Sequence, residues 1–187
     1  MRKLIFAVNI TINGSADHNE VIADDELHDF YTDLLNDVDL VLFGRKTYQL
    51  MESFWPNAHT DARSTKSMLR FADKINGLPK IVLSKTLTKV SWNNSEVLKG
   101  DLQEKILALK RQKGKNISIG GLSVATELTK LGLIDDYCFL VQPIFSVNNM
   151  QIFNGLNKVV KLKLANTKTF NSGVVVLHYQ NLPRENV

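Results

Sequence analysis

Cysteine is almost missing from the chain. Cys138 is the only one in 187 residues, so neither an intrachain disulfide nor a multi-cysteine zinc site can form, and the chain suits a reducing cytoplasm. Long apolar runs are also missing. The opening MRKLIFAV breaks at Asn9, too early for the apolar region of a signal peptide, and no stretch approaches the roughly 20 residues of a membrane-spanning helix. Arg2 stands where myristoylation needs Gly. His18, His28, His59 and His178 show no metal-ligand spacing, and there is no P-loop, G-x-S-x-G turn or G-x-G-x-x-G. Lys+Arg 23 against Asp+Glu 19 leaves +4, but the cations are scattered rather than arrayed along one helix face with interleaved aromatics, which argues against a nucleic-acid binder. The expectation is a soluble, cytoplasmic protein with no membrane anchor, no nucleic-acid partner and no metal.

With 44% hydrophobic and 22% charged residues the chain is ordinary globular material, and a chain of this length buries roughly 70% of its unfolded surface. One domain over 1–187 is expected. Lys3 to Ile12 reads as a strand leaving through the turn Asn13-Gly14. From Asp25 to Val38 the residues Leu27, Phe30, Tyr31, Leu34, Leu35 and Val38 recur at helical spacing. Asp39 to Phe43 is a buried strand, followed by Gly44 and a short helix. Phe54 to Ser64 reads as loop, Lys66 to Ile75 as a helix closed by Asn76-Gly77, and Lys80 to Ser84 as a strand. Asp101 and Glu104 form a capping box for a helix to about Lys113, Asn116 to Ile119 is a strand, and Gly120-Gly121 opens a helix that Gly132 closes. Tyr137 to Gln142, Val159 to Phe170 and Gly173 to Tyr179 are strand-like with no helix between them. Alternating strands and helices predict a mostly parallel sheet flanked by helices, extended by antiparallel strands at the C-terminal end.

Three strand ends carry chemistry. Arg45 and Lys46 with Thr47 follow Gly44 at a helix start, where two cations oppose the macrodipole unless an anion arrives. A solvated basic turn is the alternative reading, because exposed charges cost little. Ser84-Lys85-Thr86 offers hydroxyls and a cation after the next strand, at the edge where open α/β sheets bind ligands. Gly120-Gly121 lies at a third strand end, where missing side chains let a ligand approach the backbone, although such a junction is more often a tight connection than a ligand cradle. Asp29 and Asp33 fall on the watery side of their helix. Cys138, Trp55 and Trp92 read as packing residues.

GRKTY, LSKT and IGG in this order, with Trp55-Pro56, PKIVLS, LGLIDDYCFLVQP and SGVVVLHY, resemble the dihydrofolate reductase-like superfamily, and within it the reductase domain of bacterial riboflavin biosynthesis and its stand-alone relatives. The resemblance implies a three-layer α/β fold with a mixed sheet of about eight strands, a homodimer, and NADPH as cofactor. It places Gly44, Arg45, Lys46 and Thr47 on the cofactor phosphates and Ser84 and Lys85 beside the adenosine 2′-phosphate. Gly120, Gly121, Leu122, Ser123 and Val124 would line the nicotinamide and pyrophosphate. Cations suit a 2′-phosphate, whereas NAD sites usually set a carboxylate on the ribose.

The chain departs from that pattern at Asn13, where relatives commonly have Asp, and at Ser146-Val147-Asn148-Asn149, where they have a glycine-rich turn. Asn tolerates positive φ, so the second change is structurally mild, while the first bears on substrate contacts. The catalytic residue stays open: the candidates are Asp24, which is also a helix N-cap, His28, which also reads as a surface residue, and Asn13, and a water-delivered proton fits as well. The expected activity is hydride transfer to a small heterocyclic substrate, like that of a 5-amino-6-(5-phosphoribosylamino)uracil reductase. Dihydrofolate reduction and a non-catalytic NADPH-binding role are the alternatives.

Overall fold

The computed structural model describes residues 1–148 and 150–182. Strand β1 (Leu4–Thr11) leads to α1 (Asp25–Asn36), and Asp37 alone joins α1 to β2 (Val38–Gly44). The expected helix is therefore two residues too long: Val38 is β-branched, apolar and buried in the sheet. Then follow α2 (Arg45–Glu52), α3 (Lys66–Gly77), β3 (Lys80–Leu83), β4 (Ser95–Leu98) and α4 (Leu102–Arg111). The chain continues through β5 (Asn116–Gly120), α5 (Leu122–Lys130), β6 (Asp136–Gln142), β7 (Leu162–Thr169) and β8 (Val175–Asn181). The segment read as loop at 54–64 contains a 3-10 helix, Trp55–Thr60. Pro56 suits its first turn, and so short a helix shows no 3.6-residue period.

The eight strands form one sheet in the order β4-β3-β2-β5-β1-β6-β8-β7. β4 to β6 run parallel, and β8 joins β6 antiparallel with β7 beyond it. This is the expected three-layer mixed sheet. Period-two geometry divides β2 between the layers. Val41 and Phe43 pack with Leu35, Tyr48, Phe71 and Trp92, from α1, α2, α3 and the turn before β4. Leu40 and Leu42 pack on the other face with Ile106 of α4 and Ala125 and Leu128 of α5. Each fully buried Leu or Ile stabilises the fold by about 1.5–3 kcal/mol. Cys138, as expected, is a core residue, among Leu27, Leu140 and Val176.

Candidate functional site

β2 and β5 lie side by side with Phe43 opposite Gly120, and the helices that follow them leave toward opposite faces. α2 sends Tyr48 into one core cluster and α5 sends Ala125 and Leu128 into the other. That divergence makes a switch point, the place where an open α/β sheet forms its crevice. β3 flanks β2 on the other side, so the Ser84 turn, the Gly44 turn and the Gly120-Gly121 turn follow three consecutive strands along one edge.

Of the two readings of the glycines, ligand approach and tight connection, the distances show the tight connection. A Cβ on Gly121, whose φ is +127°, would stand 3.1 Å from Gly44 N and 3.3 Å from Thr47 Oγ1. One on Gly120 would stand 2.7 Å from the Phe43 ring, and one on Gly44 would stand 3.1 Å from Val124 Cγ2. The missing side chains let two strand ends and two helix N-termini close on each other.

α1, α3 and α4 carry side-chain N-caps from Asp24, Thr65 and Asp101, whereas α2 and α5 begin at Gly44 and Gly121 with none. Neither has an acidic residue in its first turn. Their leading N–H groups keep no intrahelical partner, so two positive dipole ends converge at the crevice. Arg45, Lys46 and Lys85 are exposed, and none forms an ion pair among the described residues. Thr47 is half-buried, as are Leu122 and Val124 on the first turn of α5, and Ser123 there is exposed. The Ser84 hydroxyl accepts the N–H groups of Leu87 (2.9 Å) and Thr86 (3.2 Å), which folds the turn that carries Lys85. A cradle closed by glycines, two uncapped N-termini, and cations on two of the three neighbouring turns with no ion pair among the described residues, fit the phosphates of a dinucleotide.

The catalytic candidates separate. Both ends of the Asn13 amide are tied to Ser146: Oδ1 accepts Ser146 N–H at 3.0 Å and Nδ2 donates to Ser146 O at 2.9 Å. Asn149, in the same turn, lies outside the described residues. Asp24 is the N-cap, accepting Leu27 N–H at 2.8 Å. His28 is not on the surface but 7% exposed, because the Trp55 ring packs edge-on to it at 5.9 Å. A helical wheel of α1 cannot show that contact. His28 Nδ1 lies 2.7 Å from Asp24 O, an acceptor that requires a proton on Nδ1, while Nε2 has no partner among the described residues. α1 returns the chain from the end of β1 to the start of a parallel strand, so His28, in its first turn, lies toward the same sheet edge as the three turns.

Next to it lies a polar chain that sequence reading missed. Gln142, fully buried, donates to Asn9 Oδ1 at 3.1 Å, and Asn9 donates to Tyr31 Oη at 3.3 Å. Burial pushes the Tyr31 phenol up, so it stays protonated. The one hint was Asn9 interrupting an apolar strand. Asp29 is not simply solvated, since it pairs with Arg70 of α3 at 2.5 Å. Asp33 is exposed. Among the described residues no cluster of His, Cys, Asp and Glu could hold a metal, and no helix is long and apolar enough to cross a membrane.

The architecture has solved counterparts. A candidate riboflavin biosynthesis protein from Shewanella sp. PV-4 superposes with a TM-score of 0.73 at 18% identity, covering 97% of this chain and 99% of its own. A pyrimidine reductase-like protein from Corynebacterium diphtheriae superposes with a TM-score of 0.67 at 16% identity, covering 97% and 92%. At such identities the likeness speaks for the dihydrofolate reductase-like fold alone. In sequence, the Bacillus subtilis protein YyaP, itself uncharacterized, is 29% identical over 184 residues, 95% of this chain and 94% of YyaP. The RibD C-terminal domain family matches residues 2–176, and with nearly its whole length matched, the chain belongs to that family.

Proposed function

We propose that the protein is an NADPH-dependent reductase of the riboflavin-pathway type, acting on a small heterocyclic substrate. The observation that carries this reading is the pair of uncapped N-termini meeting at Gly44 and Gly121, with Arg45 and Lys46 on the first of them and Lys85 on the neighbouring turn, none in an ion pair among the described residues. Membership of the RibD C-terminal domain family and the fold shared with a pyrimidine reductase-like protein support it.

In this reading the backbone N–H groups of the first turns of α2 and α5, with Thr47, take the pyrophosphate. Arg45 and Lys46 neutralise it, and Ser84 and Lys85 take the 2′-phosphate. NADPH supplies the hydride. The chain orients the two reactants and excludes water, for which fixed geometry is worth more than new contacts. His28 would deliver the proton that the reduced substrate requires from Nε2 of its imidazolium form, with Asp24 O fixing the ring through Nδ1. The Tyr31–Asn9–Gln142 chain offers the substrate a hydrogen-bonding wall of fixed orientation.

Titration of nicotinamide fluorescence with NADPH and NADH tests the cofactor. Tighter binding of NADPH is expected, and equal or absent binding overturns the assignment. Turnover with a phosphoribosylaminopyrimidine against dihydrofolate then separates the substrates. A homodimer belongs to the same proposal and is checked by light scattering.

A further inference from the structure

The connection from β3 to β4 crosses back over one face of the sheet without a helix. It starts at the crevice edge with Ser84 and Lys85 and ends at Asn94 beside the opposite edge. A strap of this kind has no hydrogen-bond ladder of its own, so its course depends on side chains that grip it. Leu87 and Val90 press it onto the core.

The firmest grip comes from the last turn of α2. A single oxygen, Glu52 Oε1, accepts from Ser91 Oγ at 2.5 Å, Tyr48 Oη at 2.7 Å, Trp92 N at 3.0 Å and Ser91 N at 3.2 Å. Tyr48 Oη in turn accepts from Trp92 N at 3.0 Å. The carboxyl is partly buried, which opposes its ionisation, but these donors outweigh that cost and hold it below the ordinary value. α2 therefore carries Arg45, Lys46 and Thr47 at one end and grips the strap at the other, about 12 Å apart for its 8 residues.

We infer that Glu52, with Tyr48 and Ser91, positions the strap so that the Ser84–Lys85 turn stands at a set distance from the Arg45–Thr47 turn, and so determines preference for a dinucleotide bearing a 2′-phosphate. Glu52 stands about 12 Å from the cation-bearing end of α2. It is a positioning residue, and the inference rests on the cofactor reading above.

The test uses NADPH and NADH as probes, binding being read from nicotinamide fluorescence below the unfolding range. Glu52→Gln and Ser91→Ala are compared with wild type. Ser91 is exposed, so its variant keeps the fold even where Glu52→Gln is unstable. The expected result is a loss of NADPH affinity of about fivefold or more for Glu52→Gln and about twofold or more for Ser91→Ala, from weakened charge-assisted hydrogen bonds. NADH affinity should stay within twofold, and amides 84–92 should exchange faster with solvent. A merely structural role would weaken both dinucleotides together or neither, and either outcome overturns the inference while leaving the cofactor reading intact. A wild-type protein that does not distinguish the two overturns the cofactor reading and this inference with it.

Discussion

Substituting Gly121 by Ala isolates the contact on which the crevice depends. The residue sits at φ +127°, a conformation closed to side chains at a cost of order 1–3 kcal/mol. Its new Cβ would also lie 3.1 Å from Gly44 N and 3.3 Å from Gly44 Cα. Those are backbone atoms held in the sheet, unable to swing aside as a side-chain tip could, and such overpacking adds about 1–3 kcal/mol. The sum, about 2–6 kcal/mol, is a large share of a typical stability of about 5–15 kcal/mol and corresponds to a drop in Tm on the order of 10 °C. Two other glycines separate the causes. Gly14, at φ +82° with nothing within 4 Å, should lose only about 1–2 kcal/mol on changing to Ala. Gly77 ends α3 with open space around it, so Ala should stabilise by about 0.4–1 kcal/mol. Urea unfolding followed by circular dichroism ranks the three through midpoints at constant m. Gly121→Ala matching Gly14→Ala would refute the packing argument.

Other perturbations report on other parts of the molecule. Lys80, 1% exposed, donates to the carbonyls of Asn76, Leu78 and Asn93 and lies over the Trp92 ring. Lys80→Met leaves the Leu78 and Asn93 carbonyls unpaired, Asn76 O keeping the Asn94 amide, and should cost about 2–4 kcal/mol in the same urea assay, whereas an unchanged midpoint would show that the three bonds contribute nothing. Because Glu52 is held below its ordinary value of 4.5, its ionised form adds stability that is present above pH 4.5 and lost as pH falls through the lower folded-state value. The stability gap between wild type and Glu52→Gln should therefore close on acidification, and a gap independent of pH would contradict this. Burial pushes the Cys138 thiol up to about 12, so it should resist a thiol reagent at pH 8 and react fully in urea. His28→Asn can retain the bond to Asp24 O but removes Nε2, and should lower kcat by roughly 10²-fold or more with KM little changed; equal kcat would remove His28 from the chemistry.

How much was legible depends on the range of the interaction that decides each residue's place. The stripe of α1 and the Asp101 cap are local, and the residues alone place them to within two or three positions. β4 was not seen because Ser95 to Leu98 is a four-residue edge strand, too short for alternation to register. The Gly120-Gly121 pair has two readings in the sequence, a ligand approach and a tight connection, and the partner that makes the connection tight is Gly44, far away in sequence. The grip of Glu52 on Ser91 spans 39 positions, and nothing near either residue announces it. His28 changes from an apparent surface residue to a buried one through Trp55, a ring on a segment without helical period. Each miss is a contact made only after the sheet has assembled.

The terminal hairpin has its own consequence. β7 is exposed at every residue but Leu162 and, among the described residues, pairs only with β8, so its release would forfeit little apolar burial. Opening of such a strand is a sub-global event with a free energy well below that of the whole molecule. The sheet thus has a slack end and a taut one: its amides should exchange earliest along β7, four places removed from the β2–β5 junction, and that exchange should not slow when a ligand fills the crevice.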